Sequence, residues 1–244
     1  MHDALLANVV RAAPPGTPLA GVAFAALLGL RHAFEPDHVV AVATLVSRSR
    51  GAPAALRSGA SWGLGHTTAL FVLGTALAFA KRALPPKVGL WLEFAVAVMI
   101  LGIGISTLLS ALRRRGTPLV QTHEHRGTSH VHPLSTADVH SGTARFARGS
   151  FAVGLVHGLA GSGALTALAV STLPTLFEQG LFVLLFGVGS TIGMAVAAGL
   201  AGAAIARLAK SYLALALVSG VTGASAVLFG MAWGYPLLME MVGR

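Results

Sequence analysis

No cysteine occurs among the 244 residues. Structural disulfides, thiolate metal sites and dithiol redox chemistry are therefore excluded. Charge is scarce too: Asp, Glu, Lys and Arg make up 10% of the chain, 8 acidic residues against 17 basic. Soluble domains carry about 25% charged residues, so this composition does not suit a surface bathed in water on all sides. The formal net charge of +9 resembles a nucleic-acid signal. The basic residues, however, lie mainly in short loops between apolar stretches, where they set membrane orientation. No basic soluble module is visible, and nucleic acid is not an expected partner. Residues 1–16 lack a basic start followed by a short apolar core, so they read as an amphipathic or disordered lead rather than a cleavable signal peptide.

What the chain does have is apolar length. Hydrophobic residues make up 55% and mean hydropathy is +0.76, values of a polytopic membrane protein. Six segments are long enough to span: Thr17–Phe34, Ser58–Ala80, Val88–Leu112, Ser150–Leu173, Phe177–Ala206 and Tyr212–Tyr235. The continuation Glu35–Val46 is apolar after a proline and reads as a half-helix or re-entrant piece, tolerated only against protein or a cavity. Arg48, Arg50, Arg57, Arg113, Arg114, Arg115, Arg126, Arg145, Arg148, Arg207 and Lys210 fall on one side of the membrane. Arg11, Lys81, Arg82, Lys87 and Arg244 fall on the other. The positive-inside rule then puts both termini outside and the long central loop in the cytoplasm.

An internal repeat is visible. Leu28-Gly29-Leu30-Arg31-His32-Ala33 aligns with Val153-Gly154-Leu155-Val156-His157-Gly158. At a similar offset, Trp62-Gly63-Leu64-Gly65-His66-Thr67 aligns with Phe186-Gly187-Val188-Gly189-Ser190-Thr191. Each unit holds an odd number of spans, so the second enters the membrane upside down. Inverted repeats with broken helices and a site at their interface are a common transporter plan. The expected fold is thus an all-α polytopic membrane protein of about six transmembrane helices, arranged as two inverted three-helix repeats with breaks near the histidine motifs. Its expected parts are a lead (residues 1–16), a first repeat (17–112), a His-rich cytoplasmic loop (113–149) and a second repeat (150–244).

Ionisable residues are costly in hydrocarbon and mark function by default. His32, Glu35, Asp37 and His38 crowd around Pro36. On an unbroken helix His32 and His38 would stand roughly 240° apart and could not face one ion. Pro36 removes an amide donor, clashes with the carbonyl of His32 and pushes Glu35 out of the helical region. Such a break can turn His32, Asp37 and His38 towards one point, and imidazole with carboxylate suits a divalent transition metal. The alternative is a kink whose polar groups merely satisfy one another. His66 sits among small residues in the second span and is a further ligand, or else an interhelical hydrogen-bond partner. His157 opens a Gly-rich run, opposite His32 in the repeat, and is either a ligand or part of a helix crossing. Asp37 and His38 have no counterparts in the second unit; Ser162 and Gly163 align with them. Arg31, Glu35, Thr67, Ser162, Ser190 and Met194 are candidates for supporting positions. Glu93 could pair with Arg31 or simply sit near a membrane surface. His123, His125, His130, His132 and His140 in the central loop suggest labile metal capture on compositional grounds, in a segment expected to be largely disordered.

His32-x4-Asp37-His38 resembles the His-x4-Asp-His motif of the nickel/cobalt transporter family. Leu64-Gly65-His66-Thr67-Thr68 is similar to that family's second motif. The run His157-Gly158-Leu159-Ala160-Gly161-Ser162-Gly163 looks like its shorter branch, which includes urease-accessory and nickel/cobalt efflux membrane proteins. Glu35-Pro36 replaces part of the Asp-rich first motif of longer members, and their two acidic motifs are missing from the second half. The resemblance implies that His32, Asp37, His38 and His66 form a permeation site for Ni²⁺ or Co²⁺ as cargo, in a bacterial inner membrane. No catalytic cofactor and no enzymatic activity are expected. The expected partners are the lipid bilayer and a divalent metal ion, with a homo-oligomer or a metallochaperone in addition. Two rivals stay open: a membrane scaffold that supplies metal to a metalloenzyme, and an exporter of a small non-metal solute.

Overall fold

The computed structural model describes residues 18–47, 51–80, 84–113, 120–125, 128–133, 148–160, 173, 175–208 and 211–243. Seven helices and one hairpin lie among them. In chain order they are α1 (Pro18–His32), α2 (Pro36–Val46), α3 (Ala52–Ala80) and α4 (Pro86–Arg113), then strands β1 (Val120–His125) and β2 (Thr128–Pro133), then α5 (residues 148–160), α6 (Leu176–Leu208) and α7 (Tyr212–Val242).

Local chemistry sets several boundaries. Pro36 occupies the first turn of α2, and Glu35 before it is extended at φ −66° and ψ 151°. The residue before a proline is pushed there by the proline ring, so the helix stops at His32 and restarts at Pro36. Amides of Ala33, Phe34 and Glu35 donate to the carbonyls of Gly29, Arg31 and His32, which closes the turn. Gly51, at φ +90°, precedes α3 in a conformation that side chains disfavour. Thr175 and Glu178 form a reciprocal capping box at the start of α6, with Glu178 Oε2 accepting from the Thr175 amide (3.1 Å) and Thr175 Oγ1 accepting from the Glu178 amide (3.2 Å).

Among the described residues, α4, α6 and most of α7 are long and apolar enough to cross a membrane. At 1.5 Å per residue, helices of this length reach about 42–50 Å, beyond the roughly 30 Å of a bilayer core. Helix α3 has 29 residues but carries Ser58, Ser61, His66, Thr67, Thr68 and Thr75, which dilute its hydropathy. The bundle encloses polar groups within an apolar core and presents an apolar exterior. His38, Thr44, His66, Thr107, His157 and Ser190 are buried, whereas Leu27, Leu64, Val72, Trp91, Val188, Leu200, Val221 and Leu228 are exposed. In water so large an apolar surface would be an aggregation liability; it is the surface of a membrane-associated protein.

Helix α3 packs along α6, α1 packs on α6, and α4 pairs with α7, while α2 touches α3, α4, α6 and α7. Small residues set these crossings. A Cβ on Gly29 would overlap the Phe186 carbonyl and the Ser190 amide, and one on Gly154 would overlap the Trp62 carbonyl and the His66 amide. Gly189 abuts Ala26 and Gly65 abuts Phe151 in the same way. Gly63 meets Thr191 and Gly187 meets Thr67. In the alignment of the two sequence units, each of these contacts has a partner in which the units are exchanged. Thr67 Oγ1 and Thr191 Oγ1, which occupy equivalent positions, lie 2.9 Å apart.

The central loop departs from the expected disorder where it is described. Strands β1 and β2 pair antiparallel, with His123 opposite His130 and Gln121 opposite His132. Antiparallel ladders form wherever a short turn brings two extended runs back on each other, and the alternating Val, Thr and His residues supply extended runs. His140 and Ser162 lie outside the described residues.

Candidate metal centre

The break between α1 and α2 brings His32 and His38 together despite their spacing: their ring centroids are 4.5 Å apart. His66, from the middle of α3, comes within 5.4 Å of His32 and 5.3 Å of His38 by ring centroid. His157, from α5, lies 4.1 Å from His38 and 5.9 Å from His66. Asp37 joins the two halves of the chain: its Oδ2 accepts from His157 Nε2 at 2.8 Å. Its Oδ1 stands 3.2 Å from His38 Nδ1, an ionic distance without hydrogen-bond alignment. All five residues that the sequence singled out as ligands therefore converge.

Three of the five are sealed, with His66 0%, His38 1% and His157 2% exposed, while His32 and Asp37 are half-buried. The five residues form two sets of three that share His38, one of His32, His38 and His66 and the other of Asp37, His38 and His157; within each set one ligand atom per residue lies within 4.8 Å of the others. Around a tetrahedral ion with bonds of about 2.1 Å, ligand atoms stand about 3.4 Å apart. Rotamer adjustment of about an ångström would close either set on a cation.

Hydrogen bonding argues the same point. Among the described residues, His32 Nε2, both nitrogens of His38, both nitrogens of His66 and Nδ1 of His157 are buried without a hydrogen-bond partner. A buried unsatisfied polar atom costs about 1–3 kcal/mol, against a total stability of about 5–15 kcal/mol for a typical domain. A sequence that wanted only packing would not gather six such atoms. A cation can take one lone pair from each ring that faces it and so relieves part of that cost.

The supporting residues divide. Glu35 Oε2 accepts from His32 Nδ1 at 2.9 Å. Thr67 Oγ1 bonds to the Gly187 carbonyl at 2.8 Å and to Thr191, so it holds α3 on α6. Ser190 is buried on α6, and Met194 lies in an apolar cluster with Ala33, Ala41, Val42, Val46 and Trp62. Arg31 is exposed. Two residues escaped sequence reasoning. Trp62 stacks near His38 at 5.5 Å and 25° and lies 5.5 Å from His157; Phe186 lies 5.2 Å from His32. Trp62 and Phe186 are aligned positions of the repeat, and that was the signal that could have found them: each unit contributes one aromatic wall to the cluster.

A helical bundle with an apolar exterior defines a membrane-associated protein, and its imidazole–carboxylate cluster is compatible with a metal ion. No protein-family profile and no solved structure matches the chain. The urease accessory protein UreH of Bacillus sp. (strain TB-90) is 32% identical over 212 residues, which cover 86% of this chain and 89% of that protein. The chain belongs to the UreH family, in keeping with the resemblance of its motifs to the nickel/cobalt transporters.

Proposed function

We propose that the protein carries a divalent transition-metal cation, nickel or cobalt by preference, across a bacterial cytoplasmic membrane. His32, Asp37, His38, His66 and His157 bind the passing ion. The observation that carries this reading is the convergence of four buried imidazoles on one carboxylate, with six ring nitrogens lacking partners. Imidazole nitrogens suit Ni²⁺, Co²⁺, Cu²⁺ and Zn²⁺ alike; nickel and cobalt rest on the resemblance of the motifs. Glu35 orients His32, while Thr67, Ser190 and Met194 support the helices around the site.

The proposed architecture is six spans in two inverted repeats, residues 17–112 and 150–244. The exchanged glycine contacts and the Thr67–Thr191 pairing support it, because equivalent residues of two halves meet only at a two-fold axis. Both termini then face outwards. The segment 113–149 is cytoplasmic, and its histidines, His123, His125, His130, His132 and His140, collect metal near the membrane.

A second reading is favoured by the relative's name. An accessory protein can hold metal for a metalloenzyme without moving it across the bilayer, with the loop histidines as the working site.

Reconstitution in proteoliposomes tests the first reading. Wild-type protein should move Ni²⁺ or Co²⁺ across the vesicle membrane, and Asp37→Asn should insert equally well yet move none. Wild-type flux through the inserted variant, or indifference of the purified wild-type protein to both ions in calorimetry, overturns the proposal.

A further inference from the structure

The two ligand sets overlap in a single residue. His38 belongs to both the His32–His38–His66 group and the Asp37–His38–His157 group. Its ring lies 4.5 Å from His32, 5.3 Å from His66 and 4.1 Å from His157.

From this geometry we infer that the cluster is two successive cation positions rather than one five-ligand site, with His38 as the ligand that passes the ion from one to the other. This inference rests on the metal-binding reading above and deepens it.

A neutral imidazole offers one lone pair, since its other nitrogen carries a proton. His38 can therefore serve one ion at a time, and the two positions exclude each other. They also differ in character. The first is built of neutral imidazoles. Because His32 Nδ1 donates to Glu35 at 2.9 Å, the lone pair of that ring is on Nε2, a buried atom without a partner. Glu35 thus acts from the outer shell, fixing tautomer and orientation. The second position has the Asp37 carboxylate among its three possible ligands, one atom each of Asp37, His38 and His157 lying within 4.8 Å of one another. Each position also has its own aromatic wall, Phe186 beside His32 and Trp62 beside His157. An ion that keeps its bond to His38 can exchange His32 and His66 for Asp37 and His157 without ever losing all its ligands. Conduction needs sites that bind well enough to admit an ion and weakly enough to release it, and two partial sites sharing one ligand meet both demands.

The test uses Co²⁺ as probe on the full chain in lipid nanodiscs, read by calorimetry for stoichiometry and by X-ray absorption for ligand type. Wild-type protein should bind one ion per chain. His66→Gln should still bind one ion, now with a carboxylate oxygen in its shell. His157→Gln should still bind one ion, with an all-imidazole shell. His38→Gln should lose binding at both positions. Because glutamine keeps a polar side chain at each place, solubilised yield and helical content check that the variants fold; should a glutamine variant fail that check, the corresponding asparagine variant is read instead. Two ions bound at once, the same shell in both single variants, or abolition of binding by each of them would overturn the two-position inference while leaving a metal site in place. Failure of the wild-type protein to bind Co²⁺ or Ni²⁺ would instead remove the functional proposal beneath it.

Discussion

Asp37 Oδ2 and His157 Nε2 stand 2.8 Å apart, although 120 residues of chain separate them. This contact ties the start of α2 to the last turn of the described α5 and is a polar link across the candidate metal centre. Substituting His157→Ala should leave Asp37 without its closest donor. We expect metal affinity to fall and membrane insertion to be unaffected, as measured by calorimetry and by protease accessibility of the loops. Unchanged affinity would remove His157 from the site.

Glu35 holds the tautomer of His32. Loss of an outer-shell partner of this kind typically lowers metal affinity by about 10–100-fold. Glu35→Gln should weaken Co²⁺ binding by about that factor, with little change in maximal flux once the site is saturated. A variant that binds as tightly as the native protein would show that His32 needs no such restraint.

The glycine crossings set the distance between α1, α3, α5 and α6. Gly29→Val would drive a side chain into the Phe186 carbonyl, and overpacking costs about 1–3 kcal/mol. Thermal unfolding in detergent should fall by several degrees. Gly102→Ala, at a position open within 4 Å, should leave the transition where it is. Equal effects at both positions would contradict the packing described here.

Ser58 Oγ and Ser150 Oγ lie 2.7 Å apart in the buried interface of α3 and α5. The chain has no cysteine of its own, so Ser58→Cys with Ser150→Cys creates a single pair with disulfide-forming proximity. Mild oxidation should produce an intramolecular cross-link seen as a mobility shift on non-reducing gels. Failure to cross-link under conditions that oxidise an exposed control pair would place these helices further apart.

Removal of residues 121–140 separates transport from scaffolding. A carrier should keep its turnover with altered apparent affinity, whereas a metal-holding scaffold should lose its function in supplying a metalloenzyme. Flux in vesicles and enzyme activation in cells give the two readouts.

Much of the site was legible because hydrocarbon makes ionisable residues conspicuous. His32, Asp37, His38 and His66 stand out against their apolar neighbours, and Pro36 announced the break that turns them together. Trp62 and Phe186 did not stand out singly, since an aromatic residue in an apolar run looks like any lipid-facing side chain; their aligned places in the repeat were the sequence signal, and the tertiary fold shows their inward role. The rotational position of His157 was equally hidden. Its alignment with His32 in the repeat left it either a ligand or part of a helix crossing, and the fold places it against Asp37 and His38. The hairpin of Val120–His125 with Thr128–Pro133 was missed because its strands are short and polar, and backbone pairing rather than an apolar face defines them.

The handshake of Thr67 with Thr191 has a consequence for traffic. On the proposed reading, a passenger arriving from either side of the bilayer meets the same arrangement of helix crossings, turned end for end. What breaks this evenness is the acid and imidazole that only the first half possesses. Such a machine has no preferred heading written into its frame; net movement of a divalent cation follows the ion's concentration difference together with the voltage across the bilayer, and a one-way pathway would have to borrow further bias from a sink that removes the cargo on arrival.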